Sequence, residues 1–263
     1  MPAHCAGAIL SLLLVGACSP GTFGWQSLPP QLADYRAAFT AAAGTRFEAA
    51  TTQAALLRQL PTVRVLWLGD HHASSLVHGL HRELLAAVAK ATQSDRRPLA
   101  IGLEAIGDLD QAAVDAFLAG RLEMRELQRL MKARWAGSWL DDPALDPGYY
   151  RSLLAFAKAN GATVHALEPT PRLPLAERDA RIAARVAAIA DGNPDRLVVV
   201  VVGQAHLLGM GDLLRRTGLP HLALGGEPTP ALLAAAPARL DRGMLHRSDG
   251  GLWWFAELLR GER

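Results

Sequence analysis

The chain has few cysteines, and both lie close to its N-terminus. Of its 263 residues only Cys5 and Cys18 carry a thiol. The remaining sequence therefore has neither a framework of disulfides nor a set of thiolate metal ligands. Catalysis by a cysteine nucleophile is excluded over residues 19–263 for the same reason.

Neither sign of charge dominates the sequence. Lys and Arg number 27 and Asp and Glu number 25, which gives a formal net charge of +2. No basic stripe with interleaved aromatic residues is present, so we do not expect nucleic acid as a partner. Three catalytic signatures are also absent, namely His-Glu-x-x-His, Gly-x-Ser-x-Gly and a glycine-rich phosphate-binding loop.

The N-terminus has the pattern of a secretory signal. Residues 6–17 are apolar but too few to span a bilayer as a helix of the mature protein. They end at Leu14-Val15-Gly16-Ala17-Cys18, which resembles a bacterial lipobox. We expect residues 1–17 to be a lipoprotein signal peptide, and residues 18–30 to be a tether that binds the lipid membrane through acylated Cys18. An ordinary secretory signal with an incidental cysteine is the alternative.

The residue after the cysteine bears on localisation. Ser19 stands where an Asp would retain such a lipoprotein at the inner membrane. We therefore expect the protein in the cell envelope, on the outer membrane and facing the periplasm.

Four apolar runs of the sequence end at an acidic residue or a histidine. The runs at 64–68, 99–103, 162–167 and 197–202 are continuous rather than alternating. Such runs are typical of strands buried on both faces of a parallel sheet. Helical patterns separate them, so the sequence predicts one α/β domain over residues 31–263, with a mainly parallel central sheet flanked by helices. Ligand sites of such sheets lie at the carboxyl ends of the strands.

Secondary structure can be predicted more locally from turn and capping signals. Helices are expected at 31–43, 49–60, 76–91, 110–133, 149–160 and 176–190, and further strands at 221–224 and 251–255.

The polar residues that follow the four runs are the candidates for a functional site. They are Asp70, His72, Glu104, Glu168 and His206. His72 and His206 each lie three residues after a glycine that closes an apolar run. Carboxylates in these positions are metal-binding or proton-transfer groups, or else caps of the following helix. Glu168 precedes a proline and could serve only to organise its loop.

Further candidates lie beside these strand ends. His78 falls near the expected mouth of the site, whereas His81 is readily explained by packing, and the involvement of His71 is open. The segment 131–150 is rich in aromatic residues and includes Tyr149 and Tyr150. It could cover a flat hydrophobic ligand or simply extend the core.

Several of these segments resemble the ChaN-like haem-binding lipoproteins, which form a superfamily with the erythromycin-esterase-like, TraB and Tiki proteins. The likeness spans about residues 35–220 and includes the lipobox. Its motifs here are Gly69-Asp70-His71-His72 through His81, Leu103-Glu104-Ala105-Ile106, and Gly203-Gln204-Ala205-His206. Asp70 replaces the usual Glu of the family, and His81 and Glu168 replace a Gln and an Asn.

The resemblance implies haem binding connected with iron acquisition. Haem iron accepts His or Tyr as axial ligands, so the candidates are His72, His78, His206, Tyr149 and Tyr150. Arg172 is the candidate for contact with a haem propionate. A homodimer that pairs two protomers around the porphyrin is part of the same hypothesis.

The superfamily also contains hydrolases, which gives a second hypothesis from a different class. His72, Glu104 and His206 would hold a divalent metal ion such as Zn, Mn or Fe. Asp70 or Glu168 would then act as general base toward its water. In a metal-free form of the same hypothesis, a histidine activates the water directly.

Overall fold

The computed structural model describes residues 30–94, 97–134 and 138–260. The signal peptide and lipidated Cys18 expected from the sequence lie outside the described residues. Within the described ranges, no helix is both long enough and apolar enough to cross a membrane.

A single sheet of eight strands organises the described part of the chain. The strands are β1 Phe47–Thr52, β2 Val65–Asp70, β3 Leu99–Gly107, β4 Thr163–Glu168, β5 Leu197–Gly203, β6 His221–Leu224, β7 Met244–Ser248 and β8 Trp253–Phe255. Their order in space is β1-β7-β8-β6-β2-β5-β3-β4. The strands from β8 to β4 run parallel to one another, and β7 pairs in antiparallel fashion with both of its neighbours, β1 and β8. The predicted fold class is confirmed.

Helices cover both faces of this sheet. They are α1 Pro30–Ala42, α2 Gln53–Leu57, α3 Ser75–Ser94, α4 Gln111–Leu118, α5 Met124–Arg134, α6 Pro147–Ala159, α7 Leu175–Gly192, α8 Leu213–Thr217, α9 Pro230–Ala234 and α10 Ala256–Leu259. Short 3-10 turns occupy 60–62, 108–110 and 204–206. Residues of α3 to α6 form the core on one face, and residues of α1, α7 and α8 form it on the other.

The central strand β5 shows why its sequence is a continuous apolar run. Val199 and Val201 point into the core beneath α3 to α6, whereas Val198, Val200 and Val202 point into the opposite core. Successive residues of a strand face opposite sides of the sheet. A strand covered on both sides therefore requires an apolar residue at every position.

Two helical expectations were wrong in part. The helix expected over 49–60 is replaced by β1, which pairs with β7, and by the short α2. Thr52 ends the strand and caps α2, since its Oγ1 accepts a hydrogen bond of 3.2 Å from Ala55 N. The helix expected over 110–133 breaks into α4 and α5 around Gly120, whose φ of 72° is outside the helical region.

The carboxyl ends of neighbouring strands bring the candidate residues to one edge. Asp70 ends β2 and pairs in register with Gly203 at the end of β5, and Glu168 ends β4. Strand β3 runs on to Gly107 with an irregular register against β4. Glu104 consequently lies inside β3, where the ladder to β4 is interrupted, and not just beyond its end.

Candidate functional site

Asp70 is buried at the end of β2 and accepts three hydrogen bonds. Its Oδ2 accepts from His72 Nδ1 at 3.0 Å and from Tyr150 Oη at 2.7 Å, and its Oδ1 accepts from His78 Nε2 at 2.8 Å. Burial alone would raise the pKa of this carboxyl. The hydrogen bonds and charges of His72 and His78 outweigh burial and hold the pKa well below its usual range. Asp70 is therefore an ionised anchor for three polar side chains.

His72 is held by Asp70 with one ring nitrogen open. Because Nδ1 donates to the carboxylate, Nε2 is the nitrogen available to a ligand. The side chain is 35% exposed, and its ring lies 4.4 Å from the ring of Trp139, centroid to centroid. Burial lowers the pKa of the imidazole, but the hydrogen bond and charge of Asp70, followed by the charge of Glu104, raise it above the usual value.

A glycine makes room for the open edge of His72. A Cβ placed on Gly203 would lie 3.2 Å from His72 Nε2 and 3.4 Å from Glu104 Oε2. These contacts would be tight, so the bare glycine lets the imidazole and the carboxylate approach the same point. His72 and Glu104 thus share one small space at the end of β5.

His78 supports this arrangement from behind. Its Nε2 bonds to Asp70 and its Nδ1 bonds to Asp146 Oδ2 at 2.9 Å, while its ring stacks on Tyr149 at 3.9 Å. The side chain is fully buried. Asp146 also caps α6 and donates its backbone N–H to the His72 carbonyl at 3.1 Å. His78 therefore fixes Asp70 and joins the segment before α6 to the site.

The two candidate tyrosines are also turned toward the protein. Tyr149 Oη lies 2.8 Å from His81 Nδ1, and Tyr150 Oη donates to Asp70. Both side chains are buried. Burial, followed by the charge of Asp70, raises the pKa of both phenols, so they stay protonated at neutral pH. In this arrangement they support Asp70 and His81 and do not face a ligand.

A buried arginine, Arg178 of α7, connects the other candidate residues. Its Nη2 lies 2.8 Å from Glu104 Oε1 and 2.7 Å from His206 Nε2, and its Nη1 lies 3.5 Å from Glu168 Oε1. A guanidinium only donates hydrogen bonds. His206 Nε2 is therefore an acceptor, and its Nδ1 donates to Asp179 Oδ1 at 2.7 Å.

Glu104 is ionised despite complete burial. Burial would raise its pKa, but the neighbouring His206, Arg178 and His72 side chains and the Gly203 amide lower it to about 2. The Gly203 N–H donates to Glu104 Oε2 at 2.6 Å. Glu104 is thus a fixed negative charge beside the open nitrogen of His72.

The predicted metal site is not supported. Among the described residues, no group of three or more His, Asp or Glu side chains is arranged to hold a metal ion. Of the predicted ligands His72, Glu104 and His206, the last two bind one nitrogen of Arg178. A buried carboxylate requires a cationic partner, and for Glu104 that partner is the guanidinium of Arg178.

The rim of the site carries charged and apolar side chains. Arg172 is exposed, and its Nε lies 3.1 Å from Glu168 Oε1. His71 lies at the surface with its Nε2 2.8 Å from Glu227 Oε2. Exposed large apolar side chains occur in the segments that follow β2, β3 and β5, and they are Leu76, Leu109 and Met210.

Sequence reasoning missed Arg178, Asp179 and Asp146. Arg178 lies on the buried stripe of α7 at i, i+4 and i+8 with Ile182 and Val186. A charged residue in register with a core-facing stripe was the available signal. Asp146 stands just before Pro147 at the start of α6, which is the typical position of a helix cap.

Residues 56–174 match the profile of a protein family described as "Haem-binding uptake, Tiki superfamily, ChaN". The matched stretch contains Asp70, His72 and Glu104 but ends before Arg178 and His206. The resemblance predicted from the motifs is confirmed over this stretch. No protein of curated function has a matching sequence.

Several solved structures are similar to this chain. A structure described as cofacial heme binding to ChaN of Campylobacter jejuni has 10% identity and a TM-score of 0.47, and the match covers 65% of this chain and 84% of that one. The type III effector HopBA1 has 14% identity and a TM-score of 0.50, and the match covers 81% of this chain and 96% of that one. RRSP, a MARTX toxin effector domain from Vibrio vulnificus CMCP6, has 22% identity and a TM-score of 0.49, and the match covers 67% of this chain and 36% of that one. At 14% identity, the likeness to HopBA1 concerns the fold alone.

Proposed function

We propose that this ChaN-like chain is a haem-binding protein in which His72 is the axial ligand of the iron. The observation that carries the proposal is the open Nε2 of His72, fixed by the hydrogen bond from Nδ1 to Asp70. The other two histidines expected as axial ligands, His78 and His206, each use both ring nitrogens within the protein.

The residues present fit the chemistry of haem. Bound haem supplies an iron that accepts an axial imidazole, and a wide apolar ring. A histidine whose second nitrogen donates to a carboxylate is oriented and made more basic, as metal-binding histidines usually are. Leu76, Leu109 and Met210 are exposed apolar side chains in the segments that follow β2, β3 and β5, and an apolar ligand at this edge of the sheet would cover them. Trp139 packs on the His72 ring and limits its rotation.

A titration with haemin tests this proposal. Binding to the purified protein is followed by the shift of the Soret band. We expect a saturable shift in the wild type and in the matched His71→Ala variant, and a loss of affinity of at least tenfold in His72→Ala. Retention of the shift in His72→Ala together with its loss in His71→Ala would contradict the assignment.

We further propose a lipid-anchored protein of the cell envelope that serves haem or iron acquisition. The lipobox at Cys18 and the haem-binding family support this proposal. A homodimer that pairs two protomers around the porphyrin is proposed with it. Sedimentation velocity with and without haemin tests the pairing, since we expect the dimer only in the presence of haemin.

A metal-free hydrolase is the second candidate function. The observation that favours it is the convergence of His72 Nε2 and Glu104 Oε2 on Gly203, with Arg178 behind Glu104. An imidazole oriented by Asp70 can take a proton from water as a general base. Arg178 would stabilise negative charge that develops nearby. Neither step needs a metal ion.

Hydrolysis of p-nitrophenyl butyrate in the presence of a chelator tests this second candidate. We expect turnover above the buffer rate in the wild type if the candidate is right, and its loss in both His72→Ala and Glu104→Gln. Equal rates in the wild type and in His72→Ala would contradict it.

A further inference from the structure

A small cavity lies beside the candidate haem site, between the carboxyl ends of β3 and β4. Its volume is about 170 Å³, and its lining includes Glu168, Thr170, Arg172, Asp110 and Arg134. His72, the proposed iron ligand, does not line this cavity. Its charged lining makes it a candidate for a polar part of the ligand.

Glu168 is the unusual member of the lining. Its side chain is 4% exposed, and neither carboxylate oxygen has a hydrogen-bond partner of proper geometry. Arg172 Nε and Arg178 Nη1 lie within ion-pair distance of Oε1 only. A buried polar atom without a hydrogen bond is costly, so a group that bonds to these oxygens would be stabilised there.

Two guanidinium groups flank the cavity. Arg172 pairs with Glu168 through Nε, and Arg134 bonds to Leu109 O and Asp110 Oδ1 through Nη1. Within the described ranges, the remaining N–H groups of both side chains have no protein acceptor. Guanidinium groups bind carboxylates through paired N–H groups, so an anionic group at the mouth would find two donors.

Contacts link the cavity to His72. Glu104 shares the space at Gly203 with His72 Nε2, Arg178 bonds to Glu104, and Glu168 lies 3.5 Å from Arg178. One buried side chain, Arg178, thus separates the carboxylate beside His72 from the carboxylate in the cavity. A ligand centred at His72 and an arm in the cavity would therefore lie at the same edge of the sheet, on either side of Arg178.

We propose that this cavity binds one carboxylate arm of the haem between the guanidinium groups of Arg134 and Arg172. Glu168 is protonated in this complex, and its O–H group donates a hydrogen bond to the arm. The inference rests on the proposed function. On binding, the Glu168 carboxylate takes one proton from solvent: an O–H bond forms on Glu168 and one breaks in the hydronium ion or buffer acid that supplies the proton. The arm stays ionised, and the added proton offsets its negative charge.

The groups around Glu168 make this proton uptake feasible. Burial raises the pKa of the Glu168 carboxyl, and the charge of Glu104 adds to it, whereas Arg178, Arg172 and His206 act in the opposite direction. An arriving carboxylate adds one more negative charge, which favours the protonated form further. The contribution of the arm to affinity should therefore grow as the pH falls through the pKa of Glu168.

A comparison of haemin with haemin dimethyl ester tests the inference, because the ester lacks both anionic arms. Each is titrated in detergent micelles and followed at the Soret band. We expect the wild type to bind haemin about five- to tenfold more tightly than the ester at pH 6. Arg172→Ala should bring the ratio of haemin affinity to ester affinity close to one and leave the affinity for the ester unchanged. The exposed control Arg239→Ala should keep it.

The variant Glu168→Gln adds a readout that a merely structural role would not change. The ratio of haemin affinity to ester affinity should rise as the pH is lowered in the wild type and should be independent of pH in Glu168→Gln. Equal binding of haemin and ester by the wild type, with His72 still required, would overturn the cavity assignment and leave the proposed function intact. If neither porphyrin binds, both fail together.

Discussion

At the scale of single residues, the site is governed by the burial of charge. Glu104, Glu168 and Asp179 are buried carboxylates, and Arg178 is the cation among them. Breaking a buried ion pair usually costs more than the pair contributes, because it leaves a charge without compensation. Glu104 and Glu168 could be located from the sequence because they follow apolar runs, whereas Asp179 lies within α7 and was missed. Their partner could not, because α7 contacts them only in the folded chain.

Removal of the guanidinium is the first prediction at this scale. Arg178→Met should lower the free energy of unfolding by about 3–5 kcal/mol at pH 7, because Glu104 loses its cationic partner. The matched exposed variant Arg181→Met in the same helix should change it by less than about 0.5 kcal/mol. Urea unfolding measures both.

The effect of Arg178→Met should also depend on pH. The pKa of Glu104 is lowered to about 2 in the fold, so its ionisation stabilises the wild type above about pH 4.5, and this contribution is lost as the pH falls toward 2. The difference between wild type and variant should therefore narrow below pH 4. A constant difference from pH 7 to pH 3 would contradict this role of Arg178.

A second prediction concerns His81, which is buried beside Tyr149. Burial lowers its pKa to about 4. The unfolded chain binds a proton at this histidine below about pH 6.5, so its contribution to stability is full above that pH and is lost as the pH falls toward 4. From pH 7.5 to pH 5, the wild type should lose about 2 kcal/mol more stability than His81→Gln.

Unfolding curves at both pH values check the His81 prediction. The exposed His221→Gln should parallel the wild type. Parallel behaviour of His81→Gln and the wild type would show that His81 titrates as an exposed histidine.

At the scale of elements, local composition was enough for the central strands and not for the edge. The valines of β5 alone indicate a strand buried on both faces. By contrast, β1 exists because it pairs with β7, for instance Ala50 with His246, and no local pattern reveals a partner so distant in sequence. For the same reason the irregular end of β3, which carries Glu104, could not be predicted.

Helix α1 packs closely against Gly209, which follows the 3-10 turn at 204–206, and this contact gives a prediction at the scale of elements. A Cβ on Gly209 would lie 2.6 Å from the backbone of Ala38 in α1, and Gly209 has a φ of 68°. Gly209→Ala should therefore destabilise the protein by about 1–3 kcal/mol or more, through strain and displacement of α1. In Gly79→Ala, within α3, the Cβ meets nothing within 4 Å. That variant should stabilise by up to about 1 kcal/mol.

Chemical denaturation measures the free energy of unfolding of the two glycine variants. If this packing is correct, it falls in Gly209→Ala and rises in Gly79→Ala relative to the wild type. Equal changes in the two variants would contradict the close contact between α1 and Gly209.

At the scale of the whole molecule, the residues of the candidate site lie together at the carboxyl edge of the sheet. Four strands deliver Asp70, Glu104, Glu168 and Gly203 to it, and helices α3, α6 and α7 add His78, Tyr150 and Arg178. The sequence predicted this edge because parallel strands place their carboxyl ends together. It could not predict which histidine keeps an open nitrogen, since that depends on the partners each ring finds in the fold.

The proposed anchor belongs to the same scale. Cys18→Ser should move the protein from the membrane fraction to the soluble periplasmic fraction, because lipid chains on Cys18 would be the attachment. Fractionation of cells that express each form measures this, and mass spectrometry of the wild type should find the added acyl mass. Retention of Cys18→Ser in the membrane would contradict lipid anchoring.

The central claim is that His72 binds haem iron through Nε2. Anomalous diffraction at the iron edge from crystals of the haemin complex tests it most directly. We predict a single strong peak for each haem, within bonding distance of His72 Nε2, with His72 Nδ1 still bonded to Asp70. An iron peak bound to Tyr149, Tyr150 or His206, with His72 free, would contradict the claim.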